Sequence, residues 1–363
     1  MQPLWNHQVQ GIRLADVHPD LALFFEMGTG KTRTMIEILR REYAAKGHVV
    51  PTLILCPVVV CPNWKAEFKK YSKLNPNRIY VLTGKGTDRE KQMKKVLADP
   101  HAIVITNFEA TQMTKLWGMV EEWAPQILVV DESQKLKNPQ SKRAKQVVKI
   151  ADNTRRNFLL SGTPVLDGKG LDLYMQFRVL DRGETFGKNF FAFRSRYFYD
   201  KNAGMNKNVH FPKWLPHPSS FIEFNQKINA KSLRVLKKDC LDLPPLVKQT
   251  ISVELSNEQK KAYREMYNDC ITFIESNKDL PKAVVAQLAL TKTLRLQQIV
   301  SGFVKDEDGT VHRLPCPRLD TLKELLDTLC VDNEQKVIVW ASFKENYLMI
   351  QEVCDALGLT YRT

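Results

Sequence analysis

The sequence predicts an α/β protein built on a parallel sheet with helices on both faces. Apolar, strand-like runs alternate with helix-like stretches through the first half of the chain, and such alternation is typical of parallel sheets. Two of these runs end in residue types that bind phosphate or metal ions, and ligands of such sheets bind at the carboxyl ends of the strands. The predicted strands are residues 21–25, 52–55, 78–82, 102–105, 127–130 and 157–160.

A glycine-rich turn follows the first predicted strand. Gly28 and Gly30, with Thr29 between them, allow the backbone amides of the turn to point at a phosphate. Residues 33–40 favour a helix, and the amino end of a helix adds partial positive charge at the same place. The turn therefore predicts a Walker A loop that binds the phosphates of ATP.

The two residues after the turn complete this loop. Lys31 is placed to reach the β- and γ-phosphates, and the Thr32 hydroxyl is an oxygen ligand of the kind that Mg²⁺ prefers. The strict G-x-x-x-x-G-K-T pattern has a glycine where this chain has Phe25, so the loop departs from the pattern at one position. We expect ATP and Mg²⁺ as the cofactors.

A second element that bears chemistry lies about 100 residues further along the chain. The apolar run 127–130 ends in Asp131 and Glu132, which is typical of a Walker B strand. Asp131 would hold the magnesium ion through water, and Glu132 would accept a proton from the attacking water. A buried strand followed by an ordinary acidic turn is the alternative. The order of the two motifs favours ATP hydrolysis, with Lys31, Asp131 and Glu132 as the catalytic residues.

Length and apolar content limit the architecture and the location. A chain of 363 residues is more than twice as long as one hydrophobic core usually requires, so two domains are expected. Its longest apolar runs are far shorter than the roughly 20 residues that span a bilayer, and the amino terminus lacks the features of a signal peptide. We expect no membrane association and a cytoplasmic or nuclear location. The absence of a histone-reading or zinc module favours a bacterial or viral cytoplasm.

Cysteine usage and charge point to a reduced, phosphate-binding protein. The seven cysteines include no C-x-x-C pair, which predicts reduced thiols and no zinc site. The formal net charge is +14 and the pI is near 9.3, values typical of proteins that bind a phosphate backbone. Residues 186–245 carry 11 basic and 4 acidic side chains, so this segment is a candidate contact region. Its aromatic run 186–199 is either a base-stacking surface or a helix with an apolar face, and the packed helix is favoured.

Further segments surround the two Walker elements in a characteristic order. Asp-Glu-Ser-Gln stands at 131–134, and Ser-Gly-Thr-Pro follows at 161–164. The other segments are 4–11, 53–57 with 63–68, and 103–109 in the first half, and 233–245 with 253–263, 294–299 and 336–343 in the second half. In this order, and over essentially the whole chain, they resemble the Swi/Snf branch of helicase superfamily two.

The resemblance implies two RecA-like lobes. Residues 1–185 would form a P-loop NTPase lobe that binds ATP, 186–245 a helical protrusion with a basic linker, and 246–363 the N-terminal part of a second, incomplete lobe. Within the second lobe we expect strands at 248–255 and 336–343. The motifs V and VI of the family, with their arginine fingers, would lie after Thr363, so we expect a truncated and weakly active protein, either shortened on purpose or a natural gene fragment.

The resemblance also implies roles around the nucleotide. Gln8 would hydrogen-bond the adenine base, although a single glutamine on a helix is usually a solvated residue. Ser161 and Thr163 would couple the nucleotide site to the nucleic-acid track. Gln134 stands where the family usually has a histidine, and its amide could still hydrogen-bond across to motif III, at 159–164.

Nucleic-acid contacts are implied for three residues. Thr106 and Asn107 would deliver a hydroxyl and an amide to the phosphate backbone, where contacts position the nucleic acid without reading its sequence. Trp64 would lie beside the track, with a place in the protein core as the alternative. We expect double-stranded DNA, bound through its phosphate backbone, as the partner. The sequence identifies no protein partner.

The function implied is an ATP-dependent double-stranded DNA translocase or remodeler that hydrolyses ATP to ADP and phosphate. A strand-separating helicase shares all of these motifs and remains an alternative. A second alternative is a nucleic-acid-binding module that ATP regulates without productive hydrolysis. A small-molecule kinase is disfavoured, because it leaves Gln8, the turn at 161–164 and the basic surplus unexplained.

Overall fold

The computed structural model describes residues 3–165, 170–204, 211–242, 244–276, 282–306 and 308–362. Two compact units divide the chain, Met1–Pro244 and Pro245–Thr363. The segment predicted as a protrusion and linker, 186–245, begins in the first unit and ends one residue after that unit ends at Pro244. The three predicted segments themselves stay predictions.

A seven-stranded sheet lies at the centre of the first unit. Its order is β3-β4-β2-β5-β6-β1-β9, and every pair of neighbours is parallel. The strands of this unit are β1 Leu21–Phe25, β2 Thr52–Cys56, β3 Ile79–Val81, β4 Ile103–Asn107, β5 Ile127–Asp131, β6 Arg156–Leu160, β7 Phe198–Asp200, β8 Trp214–Pro216 and β9 Ser232–Val235. All six predicted strands are present, and the predicted fold class is confirmed.

Helices cover both faces of this sheet. Along β1, Leu21, Leu23 and Phe25 pack into one apolar cluster, whereas Ala22 and Phe24 pack into another, because successive side chains of a strand point to opposite faces. Both clusters include helical residues, so the strands are buried on both sides. The helices of the unit are α1 Asn6–Val17, α2 Lys31–Lys46, α3 Cys61–Tyr71, α4 Gly86–Leu97, α5 Thr114–Trp123, α6 Lys142–Asn153, α7 Asp172–Asp181, α8 Phe190–Tyr197, α9 Phe221–Ala230 and α10 Lys237–Cys240.

The aromatic segment after α7 belongs to the core. Phe186 lies 5.0 Å from Phe193 and 5.3 Å from Phe224 between ring centroids, and all three rings are buried. Tyr197 joins the same group. This packing supports the packed helix over the base-stacking surface for these residues.

Strand β9 is an addition to the predicted sheet. It pairs in parallel with β1, with Phe25 opposite Val235, and so lies at the sheet edge beside the Walker A loop. The sequence analysis assigned this stretch to a linker. The strand brings residues 236–240 to the place where β1 ends.

The second unit contains helices and one hairpin in its described residues. These elements are α11 Asn257–Ser276, α12 Lys282–Val300, β10 Phe303–Lys305, β11 Val311–Arg313, α13 Pro317–Leu326 and α14 Lys344–Ala356. The predicted strands at 248–255 and 336–343 are wrong, because both segments are described without strand structure. A strand needs a hydrogen-bonded neighbour, and neither segment has one among the described residues. Ile338 and Trp340 are accordingly 79% and 87% exposed.

Across the described part of the chain, no helix combines the length and the apolar character that a membrane span requires.

Candidate nucleotide site

The Walker A loop connects β1 directly to α2. Gly28 has φ +83° and Gly30 has φ +84°, in the left-handed region that favours glycine. Thr29 is fully buried between them, and its hydroxyl donates a 2.7 Å hydrogen bond to the carbonyl oxygen of Glu26. Helix α2 begins at Lys31. The loop therefore has the turn that the glycine spacing predicted.

Helix α1 packs its first turn against this loop. A Cβ atom at Gly30 would lie 2.1 Å from Nε2 of Gln8, so only glycine leaves room for that amide. The Gln8 Oε1 atom accepts a 2.9 Å hydrogen bond from the backbone N–H of Trp5. A ring nitrogen of His7, Nε2, lies 2.8 Å from the carbonyl oxygen of Thr29. The structure thus brings Gln8 to the loop, and its contact with adenine stays a prediction.

Lys31 lies between the loop and the acidic end of β5. Its Nζ atom donates a 2.9 Å hydrogen bond to the carbonyl oxygen of Phe25. Burial lowers the pKa of Lys31, while the negative charges of Glu132 and Asp131 oppose that shift. Among the residues that the structure describes, the Lys31 ammonium group has these carboxylates nearby but forms no ion pair.

Asp131 is buried at the carboxyl end of β5. Its Oδ2 atom accepts a 3.0 Å hydrogen bond from the indole N–H of Trp64, and Oδ1 accepts one of 3.0 Å from the backbone N–H of Glu132. Burial raises the pKa of Asp131; the Trp64 hydrogen bond lowers it, the charge of Glu132 raises it further and that of Lys31 lowers it. A nearby cation would stabilise the ionised form of this buried carboxyl group.

A chain of hydrogen bonds joins the turn after β6 to Glu132. The backbone N–H of Thr163 donates to Oγ of Ser161 at 3.0 Å, and the Ser161 hydroxyl donates to Oε1 of Gln134 at 2.7 Å. The Gln134 amide then donates to Oε2 of Glu132 at 2.5 Å. Glu132 itself has φ +55°, a strained conformation for a residue with a side chain. Of the three residues predicted for coupling, Gln134 contacts the predicted general base directly, and Ser161 and the backbone of Thr163 are linked to it through Gln134.

The sequence analysis missed Gln176 of α7. Its side chain is fully buried, its Oε1 accepts a 2.6 Å hydrogen bond from the Ser133 hydroxyl, and its Nε2 donates to the carbonyl oxygen of Pro164 at 2.7 Å. It therefore ties the turn after β5 to the turn after β6. A glutamine in the otherwise hydrophobic helix stretch 173–177 was the available signal.

Thr32 and Asp131 are the predicted ligands of a magnesium ion. Thr32 is half-buried in the first turn of α2, directly after Lys31, and Asp131 carries a buried carboxyl with a raised pKa. Mg²⁺ usually binds one or two protein oxygens together with water and substrate phosphates. The Thr32 hydroxyl and the Asp131 carboxyl are oxygen ligands of the kind that this ion binds. Among the described residues, no group of three or more His, Cys, Asp or Glu side chains forms a metal site.

The three predicted nucleic-acid contacts are buried in this structure. Trp64 is 0% exposed and donates to Asp131, so the core alternative is the one that the geometry supports. Thr106 is also fully buried, and its hydroxyl has no hydrogen-bond partner. Asn107 accepts a 2.7 Å hydrogen bond from Arg89 and donates one of 2.9 Å to Glu109. The elements α3 and β4 thus turn these side chains inward, and their contact with nucleic acid stays a prediction.

Comparison with known proteins places the fold and the motifs in a family. The SNF2-related domain profile matches residues 13–302. Putative protein p41 of Acyrthosiphon pisum secondary endosymbiont phage 1 is 27% identical over 296 residues, 78% of this chain and 60% of that protein. An uncharacterised ATP-dependent helicase of Mycoplasma genitalium is 27% identical over 321 residues, 88% of this chain and 28% of that protein.

A solved structure has the same fold. The Sulfolobus solfataricus SWI2/SNF2 ATPase core, in complex with dsDNA, matches with a TM-score of 0.54 at 22% identity, over 98% of this chain and 70% of that chain. This chain spans less than two thirds of the length of the two curated relatives above. The profile match covers well over half of the chain and confirms the predicted resemblance. The chain belongs to the SNF2-related domain family of helicase-like ATPases.

Proposed function

We propose that this chain is the motor core of an ATP-dependent double-stranded DNA translocase or remodeler, hydrolysing ATP to ADP and phosphate. The observation that carries the proposal is the hydrogen-bond chain from Thr163 through Ser161 and Gln134 to Glu132. It ends on the general base, close enough to Lys31 for the negative charge of Glu132 to act on that ammonium. A turn with only a structural role would not need hydrogen bonds that lead to the proposed general base.

The residues of the site divide the chemistry among them. The backbone of Gly28, Thr29 and Gly30 would hold the phosphates, and Lys31 would neutralise charge at their outer end. Thr32 and Asp131 would hold Mg²⁺, which supplies charge neutralisation at the β- and γ-phosphates when bound.

Glu132 would accept the proton of the attacking water, and its geometry suits that role. The Gln134 amide donates to one carboxylate oxygen, and the other, Oε1, has no hydrogen-bond partner in the described part of the chain. Rotation of Ser161 or Gln134 changes the orientation of Glu132, because the three side chains form one continuous chain. Movement of the turn after β6 would thereby switch hydrolysis on or off.

Double-stranded DNA is the proposed partner, bound through its phosphates. The net charge of +14 supports a polyanionic partner, and the solved Sulfolobus core is in complex with dsDNA. At the end of β4, Arg89 is half-buried and holds Asn107, while Arg143 donates to Glu109 at 3.0 Å. We place the phosphate contacts on these arginines rather than on the buried Asn107. The proposed location is the cytoplasm or the nucleus.

The experiment that tests translocation is displacement of a third DNA strand from a triplex, measured together with separation of the two duplex strands. A translocase releases the third strand in the presence of ATP and leaves the duplex intact. Glu132→Gln should abolish release, and Glu122→Gln, an exposed glutamate on α5, should retain it. Separation of the duplex would instead support the helicase, and ATP-dependent DNA binding without either activity would support the regulated binding module.

A further inference from the structure

Lys237 lies beside the Walker A loop although it is more than 200 positions away in the sequence. Strand β9 pairs with β1, and the backbone N–H of Glu26 donates a 3.0 Å hydrogen bond to the carbonyl oxygen of Val235. The chain then turns into α10, where the backbone N–H of Lys237 donates to Oε2 of Glu26 at 2.5 Å. These two bonds fix the position of Lys237 relative to the start of the loop.

The side chain of Lys237 reaches over the loop. Its Cε atom is 3.9 Å from the position that a Cβ atom would occupy on Gly28. Its positive charge also acts on Lys31, whose pKa it helps to lower. Lys237 is exposed, and among the described residues its ammonium group has no ion pair or hydrogen-bond partner.

Two ammonium groups therefore face the same short loop. Like charges that share a site repel each other, and an anion between them relieves the repulsion. An exposed lysine is usually a solvated residue. The position of Lys237 argues for more than solvation, because β9 and the Glu26 hydrogen bond hold it against a loop built to bind phosphate.

The position also indicates which phosphate. The loop amides and the start of α2 would hold the inner phosphates, whereas Lys31 would reach the β- and γ-phosphates. Lys237 approaches from Gly28, at the strand end of the loop and away from the first turn of α2. A cation there is directed at the outer end of a triphosphate.

We propose that Lys237 binds the terminal phosphate of the nucleotide and makes the site prefer ATP to ADP. This inference rests on the proposed nucleotide site. Lys237, from the segment after β9, would then bind the nucleotide together with Lys31 of the Walker A loop.

Equilibrium binding of fluorescent, non-hydrolysable ATP and of fluorescent ADP tests this directly. Lys237→Ala should weaken binding of the ATP analogue about 5- to 10-fold, the worth of one charge-assisted contact at an exposed position, and should change ADP binding less than about twofold. Lys237→Arg should restore most of the preference. Lys46→Ala removes an equal charge from the far end of α2 and should change neither affinity.

Lys31→Ala separates this inference from the proposed site. If Lys31→Ala loses both nucleotides and Lys237→Ala loses only the ATP preference, both are supported. Unchanged affinities in Lys237→Ala, or equal losses for ATP and ADP, overturn the role of Lys237 while leaving the site intact. If Lys31→Ala binds both nucleotides as wild type does, the proposed site itself is overturned. Thermal unfolding of each variant in the absence of nucleotide checks that the fold is retained.

Discussion

The predicted nucleotide site and the predicted nucleic-acid contacts both lie at the carboxyl edge of one sheet, but they differ in the partners of their polar side chains. The nucleotide region, at the ends of β1, β5 and β6, holds Lys31, Glu132 and Ser161, each with a hydrogen-bond partner. The track region, at the end of β4 and on α3, holds Thr106 and Trp64 fully buried. Ser161 and Thr106 are both buried at strand ends, but the Ser161 hydroxyl has a hydrogen-bond partner and the Thr106 hydroxyl has none among the described residues.

The difference shows what a motif encodes. Glycine spacing and a charged residue at a strand end act locally, so their geometry follows from a few neighbouring residues. Whether an indole faces solvent depends on the packing of a whole helix against the sheet. Trp64 belongs to the nucleotide region by its contact, because its N–H binds Asp131.

Among the substitutions that test this comparison, removing the hydrogen bond between Trp64 and Asp131 has the largest expected effect. Trp64→Phe keeps the aromatic volume and deletes the donor to Asp131, so the proposed magnesium ligand loses its orienting partner. Loss of such an outer partner typically lowers metal affinity about 10-fold or more. We expect ATP hydrolysis to require about 10-fold more Mg²⁺, with affinity for duplex DNA unchanged.

A magnesium titration of ATPase activity and a DNA-binding isotherm check this on the same preparation. Trp117→Phe is a matched control, because Trp117 is similarly buried and its indole N–H has no partner. If Trp64→Phe instead lowers the DNA affinity and leaves the magnesium requirement unchanged, Trp64 contacts DNA as the sequence analysis predicted.

The next effect concerns the cost of burying Asp131. Burial raises the pKa of this carboxyl above its ordinary value of 3.8, so the folded protein holds the proton more tightly than the unfolded chain. The resulting penalty is fully present above the raised pKa and disappears as the pH falls toward 3.8. Without nucleotide, the free energy of unfolding of Asp131→Asn should therefore rise relative to that of the wild type as the pH is raised from 4 to 8. The Asn amide accepts only one of the two hydrogen bonds that Asp131 accepts from Trp64 and Glu132, so the variant also carries a loss of stability that does not depend on pH.

Urea unfolding at the two pH values measures this difference. Asp239→Asn, at an exposed position on α10, is the control for replacing a carboxyl by an amide. If the difference in stability between Asp131→Asn and the wild type is the same at both pH values, Lys31 and Trp64 already compensate the buried charge, and Asp131 does not need a cation.

The smallest effect lies in the track region. The Thr106 hydroxyl is buried without a hydrogen-bond partner, and such a group costs free energy in the folded state. Thr106→Val keeps the branched shape and removes the hydroxyl. We expect the free energy of unfolding to rise by up to about 1 kcal/mol and the affinity for duplex DNA to stay within twofold. A loss of DNA affinity would show that Thr106 becomes accessible when DNA binds.

The sequence analysis predicted the parts that local rules determine. The six predicted strands of the first unit and the turn at Gly28 and Gly30 follow from periodicity and backbone freedom, whereas β7, β8 and β9 were not predicted. The resemblance to the family also led us to expect strands at 248–255 and 336–343, where the structure has none, because a strand-like segment does not supply its own partner strand. Gln176 and Lys237 were missed for a related reason, since only the tertiary fold brings them to the site.

ATP hydrolysis with and without double-stranded DNA, measured beside Glu132→Gln, tests the central claim most directly. We predict that duplex DNA raises the rate of the wild-type chain, and that Glu132→Gln lowers it by about 100-fold or more while nucleotide binding is retained, because a general base contributes at least that much. Equal rates for the two proteins, with ATP bound by both, would contradict the account and leave a nucleic-acid-binding module that ATP only regulates.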